Sequence, residues 1–411
     1  MQVLYERCAG IDVHKKTVVV TILVTPATGQ VQKQTRTFTT MTNDLLTLDD
    51  WLRAQGVAVV AMESTGVFWR PVFNLLEAER TIILVNAQHM KAVPGHKTDV
   101  KDSEWLAELL RHGLLKASFI PPAPIRALRE LTRYRQLLIR QRADDTNRLQ
   151  KVLETANIKL AAVATDILGA SGRAMLAALT GGEQDAETLA ELARGRLRAK
   201  LPQLRTALEG RMQPHQRFLL QQLMAHIDFL EASLAEVQRE IEQQLRPFEE
   251  AIDLLTSVPA IQAGAAATIL AEIGADMRAF PSHKHLASWA GLCPGNKQSA
   301  GKRLSGKTTQ GNLYLRHVLC EVAWAVAHTK DNYLAAQYHR LARRRGKQKA
   351  ILAVAHSLLV IIYHILQTKQ PYRDLGADYF AQLDMERLQR RAIEQLEHLG
   401  YTVTLTPQVG A

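Results

Sequence analysis

The segment that most limits the possible folds is the opening block AGIDVHKKTVVVTILV at residues 9–24, where valine, isoleucine and threonine crowd together. β-Branched side chains lose rotamer freedom in a helix and suit a pleated, half-buried surface, so the block reads as strand. After a Pro/Gly turn, QKQTRTFTT continues with alternating apolar and polar residues and forms the other arm of a hairpin. TNDLLTLDDWLRAQG has the spacing of an amphipathic helix that stops at Gly56, and VAVVAMES then reads as a buried strand. FWRPVFNLLEAER is helical, TIILVNA is a further strand, and a helix spans 99–113. The order β-β-α-β-α-β followed by a helix predicts a mixed α/β sheet covered by helices within residues 1–120.

The texture changes near Ile125. RALRELTRYRQLLIRQRADDTNRLQKVLETA and HQRFLLQQLMAHIDFLEASLAEVQREIEQQL carry near-heptad apolar spacing. They predict an antiparallel pair of long helices within 121–250, either an intersubunit coiled coil or a bundle inside one subunit. Between them lies a glycine-punctuated helical insert without chemistry of its own. Residues 251–411 form a third, mainly α region. It opens with LLTSVPAIQAGAAATILAEIGADMRAF, two helices about a Gly-containing turn. Exposed N–H groups at such a helix-hairpin-helix suit a phosphate, and the small residues equally suit tight helix packing. GLCPGNKQSAGKRLSGKTTQGNLYLRHVLCEVAWA then joins a basic Gly/Ser-rich loop to an apolar helix. Trp289, Tyr333 and Tyr338 read as core aromatics rather than stacking platforms for bases. The stretch from Pro371 onward reads as a helix and a short strand, a packing or assembly surface.

Charge narrows the partners. Lysine and arginine number 51 against 40 acidic residues, giving a net charge of +11, which points to a polyanion. The three cysteines, Cys8, Cys293 and Cys320, form no C-x-x-C pair, which argues against a disulfide framework and a zinc site. No apolar run is expected to reach the roughly eighteen residues of a membrane span, so the expected location is the cytoplasm, without a membrane partner.

Four acids stand out. Asp12 lies on the first strand, Glu63 ends the Ala/Val strand, and Asp99 and Asp102 open a helix at i and i+3, one turn apart on one face. A first strand, a later strand and a following helix are how RNase H-like domains gather oxygen ligands for two divalent cations. Such ions also explain why several carboxylates ionise together. Taken singly, Asp99 reads as a helix cap, and Asp102 and Glu104 as acids favoured at a positive helix end.

GIDVHKK, AMESTGVFWRPV and HKTDVKDSEWLAELLRHG resemble the N-terminal blocks of the IS110/IS1111-type transposases, which are related to the Piv DNA invertases. SVPAIQAGAAATILAEIG, FPSHKHLASWAGLCP and SAGKRLSGKTTQGNLYLRHVL resemble that family's C-terminal transposase domain. The resemblance implies an RNase H-like (RuvC-like) α/β domain at 1–120, a long helical coiled-coil region at 121–250 and a mainly α transposase domain at 251–411. It makes Asp12, Glu63, Asp99 and Asp102 both catalytic residues and ligands for two Mg²⁺ ions, with Mn²⁺ as substitute. Ser299 becomes a nucleophile that stores a DNA end as phosphoserine. Where relatives have Ser-Gly, this chain has Ser299-Ala300-Gly301, which leaves Ser305 as a rival. Lys302, Arg303, Lys307, Arg316, Arg343, Arg344 and Arg345 are the expected contacts to nucleic acid. The implied partners are donor and target DNA, a noncoding bridge RNA that pairs with both, and further copies of the chain in a tetramer, a dimer of dimers with a composite site.

Three other readings use the same residues. A hydrolytic nuclease of the junction-resolvase kind keeps the acids and leaves Ser299 structural. An actin-like kinase would follow its first-strand aspartate with a Gly-rich phosphate loop, whereas Val13-His14-Lys15-Lys16 follows here. A nucleic-acid-binding protein with a decayed site would show no metal-dependent cleavage.

Overall fold

The computed structural model describes residues 2–26, 29–64, 66–86, 102–295, 297–299 and 301–404, with backbone alone at 297–299, 303–305 and 386. The chain divides into two compact units, Met1–Ile120 and Pro121–Ala411.

Unit 1 is built on a five-stranded sheet in the order β3-β2-β1-β4-β5. The strands are β1 (Arg7–Val13), β2 (Thr17–Val24), β3 (Gln32–Thr39), β4 (Val59–Glu63) and β5 (Thr81–Val85). β1, β2 and β3 run antiparallel in sequence, whereas β4 pairs parallel to β1 and β5 parallel to β4. The opening block is therefore two strands rather than the single one its composition suggests. Polar His14, Lys15 and Lys16 break it, and the His14 N–H donates to the Thr17 carbonyl to close the turn. The mixed sheet stands as expected, with one more antiparallel strand at its edge.

Strand alternation sorts the side chains onto two faces. Ala9, Ile11, Val13, Val60 and Met62 join one buried cluster with Leu45, Leu48 and Leu52 of α1 (Thr42–Ala54) and Val72 and Leu76 of α2 (Trp69–Leu76). Cys8 and Ala61 face the other way and pack on Leu106, Ala107 and Leu110 of α3 (Asp102–Arg111). Gly10 lies between them on that second face. A Cβ there would stand 2.0 Å from the Ser103 carbonyl oxygen and 2.5 Å from the Ala107 nitrogen. The missing side chain is what lets α3 press its first turn onto β1.

Among its described residues unit 2 is helical apart from one hairpin. Helices α4 (Ala123–Thr155) and α5 (Pro214–Leu245) are antiparallel partners. Arg142 reaches Glu231, His226 meets Asp145, and Gln216 donates to Thr155, so rising numbers on one helix meet falling numbers on the other. The insert, with helices Leu160–Val163, Ala170–Gly181, Ala186–Glu191 and Leu201–Leu208, caps the far end of the pair. Leu149 and Leu153 are buried there with Met175, Leu176, Leu189, Leu204, Leu220 and Ile227.

The remaining helices are α6 (Glu249–Thr256), α7 (Ala263–Ile273), α8 (His283–Trp289), α9 (Leu313–Ala327), α10 (Tyr333–Arg345), α11 (Lys347–Thr368) and α12 (Tyr379–His398). α11 is long and apolar enough to cross a membrane by length and composition, contrary to the expectation that no run qualifies. It packs against α6, α8, α9 and α10, with Val354, Leu358, Leu359 and Ile362 inaccessible to solvent, as the central helix of a core. Tyr338 is buried, Trp289 packs its ring against Phe280, and Tyr333 is half-buried against Phe380. The short strand expected after α12 is not formed among the described residues.

Candidate active site

Asp12 and Glu63 are brought side by side by strand register. The parallel pairing of β1 with β4 aligns Gly10 with Ala61 and Ile11 with Met62, and Asp12 and Glu63 are the next residue on each strand. Neighbouring strands lie about 4.8 Å apart. Both acids share the alternation of Cys8, Gly10 and Ala61 and so belong to the α3 face. Asp102 is the first residue of α3, whose opening turn Gly10 admits onto that same face. Two strand ends and one helix start thus converge on one edge of the sheet. Asp99 lies outside the described residues.

Local contacts hold these groups. The side chain of Asp12 is only 14% exposed, and its Oδ2 stands 3.0 Å from Nε2 of His14, which projects from the adjacent turn. The buried Thr21 hydroxyl on β2 hydrogen-bonds Ser103 Oγ at 2.8 Å and Thr35 Oγ1 at 3.0 Å, tying the start of α3 to the sheet beside Asp102. Hard oxygen donors of this kind suit Mg²⁺ or Mn²⁺ rather than zinc. Among the described residues no three acidic, histidine or cysteine side chains form a metal-holding group.

Ser299 ends β6 (Lys297–Ser299) and is paired with Lys302, the first residue of β7 (Lys302–Ser305). Gly301 lies between them. Gly301, at φ +76°, takes the left-handed conformation that tight hairpin turns require. Ser305 pairs with Lys297 at the opposite end, so the two candidate serines stand at the tip and the base of one hairpin. The side chains of Ser299, Arg303 and Ser305 lie outside the described residues.

The base of this hairpin is fixed by backbone contact. Pro294 bridges to Thr308, and the Gly295 N–H donates to the Lys307 carbonyl at 2.8 Å. A Cβ on Gly311 would lie 2.3 Å from the Gly291 nitrogen, so only glycine permits the approach of these two segments.

Two family models match the chain in sequence order: the DEDD transposase of the IS110 type at residues 9–158, and the transposase IS116/IS110/IS902 family at 252–339. The chain belongs to the IS110 family of transposases. It is similar to a probable family 20 transposase of Pseudomonas aeruginosa, 26% identical over 79% of this chain and 88% of the relative. It also resembles an insertion element IS900 protein of Mycobacterium paratuberculosis, 28% identical over 67% of this chain and 73% of that one. The transposase for insertion sequence element IS1111A of Coxiella burnetii is 21% identical over 71% and 72%. The chain is accordingly an enzyme that acts on DNA, and the DEDD transposase domain gives unit 1 its RuvC-like character.

In this transposase the expected nucleic-acid contacts are spread over unit 2. Lys302 opens β7, Lys307 follows it, both are exposed, and Arg316 lies in the first turn of α9. Arg343, Arg344 and Arg345 form the exposed last turn of α10. The turn before α7 includes Ala260 at φ +66°, a left-handed conformation that an L-residue holds only at a cost of order 1 kcal/mol.

Sequence reasoning missed a buried hub behind the hairpin. Glu272 in α7 is wholly inaccessible, and its carboxylate accepts from Arg133 of α4 and from Asn312, the N-cap of α9. Arg129 donates to the backbone carbonyls of Ala271 and Glu272. The available signal was a lone glutamate inside the apolar run AATILAEIG, because a buried carboxylate must find partners.

Proposed function

We propose that this transposase cuts and rejoins DNA through a carboxylate half-site of Asp12, Glu63, Asp99 and Asp102 and a serine half-site at Ser299. The observation that carries the proposal is the strand register, which makes Asp12 and Glu63 neighbours on the face where α3 presents Asp102. Two Mg²⁺ ions, when bound by these carboxylates, would lower the cost of charge on the attacking and leaving oxygens of an in-line phosphoryl transfer.

The Ser299 hydroxyl attacks phosphorus, the Oγ–P bond forms, the P–O3′ bond breaks, and the freed 3′-oxygen takes a proton. The DNA end is held as a 5′-phosphoserine. Rejoining reverses this: an incoming 3′-hydroxyl attacks the phosphorus and returns the serine. Bond energy is conserved, so no external energy source is needed. Lys302 and Lys307, exposed in and just after the second strand of the hairpin, suit a charge-neutralising role at the phosphate.

Family membership supports two further parts. Working assemblies are tetramers in which the serine half-site of one protomer meets the carboxylate half-site of another, with the α4–α5 pair as an intersubunit coiled coil. Phe218 and Phe229 on α5 and Leu137 on α4 are exposed in the single chain, as such a contact requires. A bridge RNA selects donor and target DNA by pairing, and the protein grips backbone.

The deciding experiment denatures the protein after incubation with labelled DNA and Mg²⁺. A covalent adduct is expected with wild type and with Ser305→Ala, and none with Ser299→Ala. Metal-dependent cleavage without any adduct would instead describe a hydrolytic nuclease. Mixing Ser299→Ala with Asp12→Ala protein restores activity if the site is composite, and sequencing copurified RNA identifies the guide.

A further inference from the structure

The C-terminal part of unit 2 holds a cleft of about 970 Å³ that no step above uses. One wall is a single face of α11, where His356, Ile361 and His364 recur at helical spacing; α8 and the segment 370–375 supply the others. The cleft also reaches Cys293, the residue before Pro294, and so adjoins the base of the hairpin that carries Ser299.

Its chemistry is specific. The rings of His283 and His364 lie 5.2 Å apart, Tyr372 adds a further ring, and Tyr333, stacked on Phe380, borders the cleft. Burial, and then the nearby His283, pull His356 below the ordinary imidazole range, so it is neutral near pH 7. Burial pushes the Tyr333 phenol up, and burial with the hydrogen bond to Asp374 does the same for Tyr372, which keeps both protonated. The interior is thus rich in rings. Lys284 and Arg373 are the cations that line it.

We propose that this cleft receives one unstacked nucleotide of the nucleic acid bound by the transposase, its base between the histidine and tyrosine rings and its phosphate against Lys284 or Arg373. Flat ring walls favour a heteroaromatic base, and cations beside an apolar floor favour that base with its phosphate attached over a purely apolar ligand. Removing a base from its stack costs a few kcal/mol, which ring contacts of this kind offset. Seated there, the nucleotide fixes the strand beside the hairpin base, a few residues from Ser299. The inference rests on the nucleic-acid reading above and adds a site to it.

Photo-crosslinking tests it. Full-length protein is bound to single-stranded and gapped oligonucleotides carrying 5-iodouracil, irradiated, digested and mapped by mass spectrometry. Crosslinks are expected at Tyr333, Tyr372, His283 or His364. Val360→Trp, which fills the cleft from α11, is expected to cut their yield on the order of tenfold, the scale of one lost base stack. His364→Ala, a milder change at an exposed position, should lower it less. Binding of a fluorescein-labelled oligonucleotide is measured alongside. Absence of any binding removes the nucleic-acid reading and this site together. Normal binding with crosslinks elsewhere, or with yields that neither variant changes, overturns the cleft alone. Altered self-association of Val360→Trp at unchanged crosslink yield makes the cleft a subunit contact and likewise overturns it.

Discussion

The carboxylate of Glu272 is clasped by the guanidinium of Arg133, Nε to Oε1 and Nη2 to Oε2, both at 2.8 Å, and the carboxylate is wholly inaccessible to solvent. A planar fork meets a planar carboxylate, the geometry that makes arginine irreplaceable by lysine. Asn312, which caps α9 immediately after the serine hairpin segment, donates to the same carboxylate. The long helix α4, α7 and the end of the hairpin loop therefore share one buried charge.

Removing that charge leaves cations behind without their partner. Glu272→Ala is expected to cost about 3–5 kcal/mol, the range for one member lost from a buried ion pair. Glu272→Gln, which keeps an acceptor for Arg133 or Asn312, is expected to cost less. Urea unfolding of both variants checks the order. Equal stability of wild type and Glu272→Ala would show that the pair is not what holds these helices.

Gly10 carries a second steric demand. In Gly10→Ala the new methyl meets backbone atoms of Ser103 and Ala107, which cannot rotate away, so α3 must move off the sheet. The expected loss is about 1–3 kcal/mol, as for other overpacked sites. DNA cleavage is expected to fall further than stability does, because α3 carries Asp102. Cleavage at the wild-type rate by the folded variant would mean that the position of α3 does not matter to the chemistry.

These two sites show where the sequence was readable. The unbroken apolar run of VAVVAMES and the β-branched opening block place Glu63 and Asp12 on strands, since such composition is a local signal. The register that makes them neighbours is a long-range property, and only the pairing of Ile11 with Met62 reveals it. His14-Lys15-Lys16 hid a turn because lysines are not turn formers; a tight reversal there depends on β2 finding both β1 and β3. The Thr21–Ser103 hydroxyl contact joins residues 82 positions apart, and no local pattern announces it. α11 misled in the opposite direction, its apolar composition reporting burial in a helical core.

Cys8 predicts a pH dependence. Burial, opposed by Arg111 and aided by Glu108, pushes its thiol up from an ordinary 9.0 to about 12, and its sulfur sits 3.6 Å from the Ala107 carbonyl oxygen. The folded protein holds the proton that the unfolded chain gives up, so this stabilising contribution is whole below pH 9 and is lost as pH rises toward 12. Cys8 should resist iodoacetamide at pH 8 in the native protein and react once it is unfolded. Modification in the folded state at the rate of an exposed thiol would contradict the buried placement.

Arg343, Arg344 and Arg345 allow a test of the basic surface that separates contact from mere charge. They close α10, where cations also favour the negative helix end, so their presence alone is ambiguous. Each phosphate a protein neutralises on duplex DNA contributes about 0.9 to the slope of log affinity against log salt. If all three meet phosphates, the triple alanine variant lowers that slope by about 2–3, with affinity falling for every sequence alike. A slope equal to that of wild type, measured by titration of labelled duplex at several salt concentrations, assigns the run to solvent and helix capping. A partial change counts the phosphates that this turn reaches.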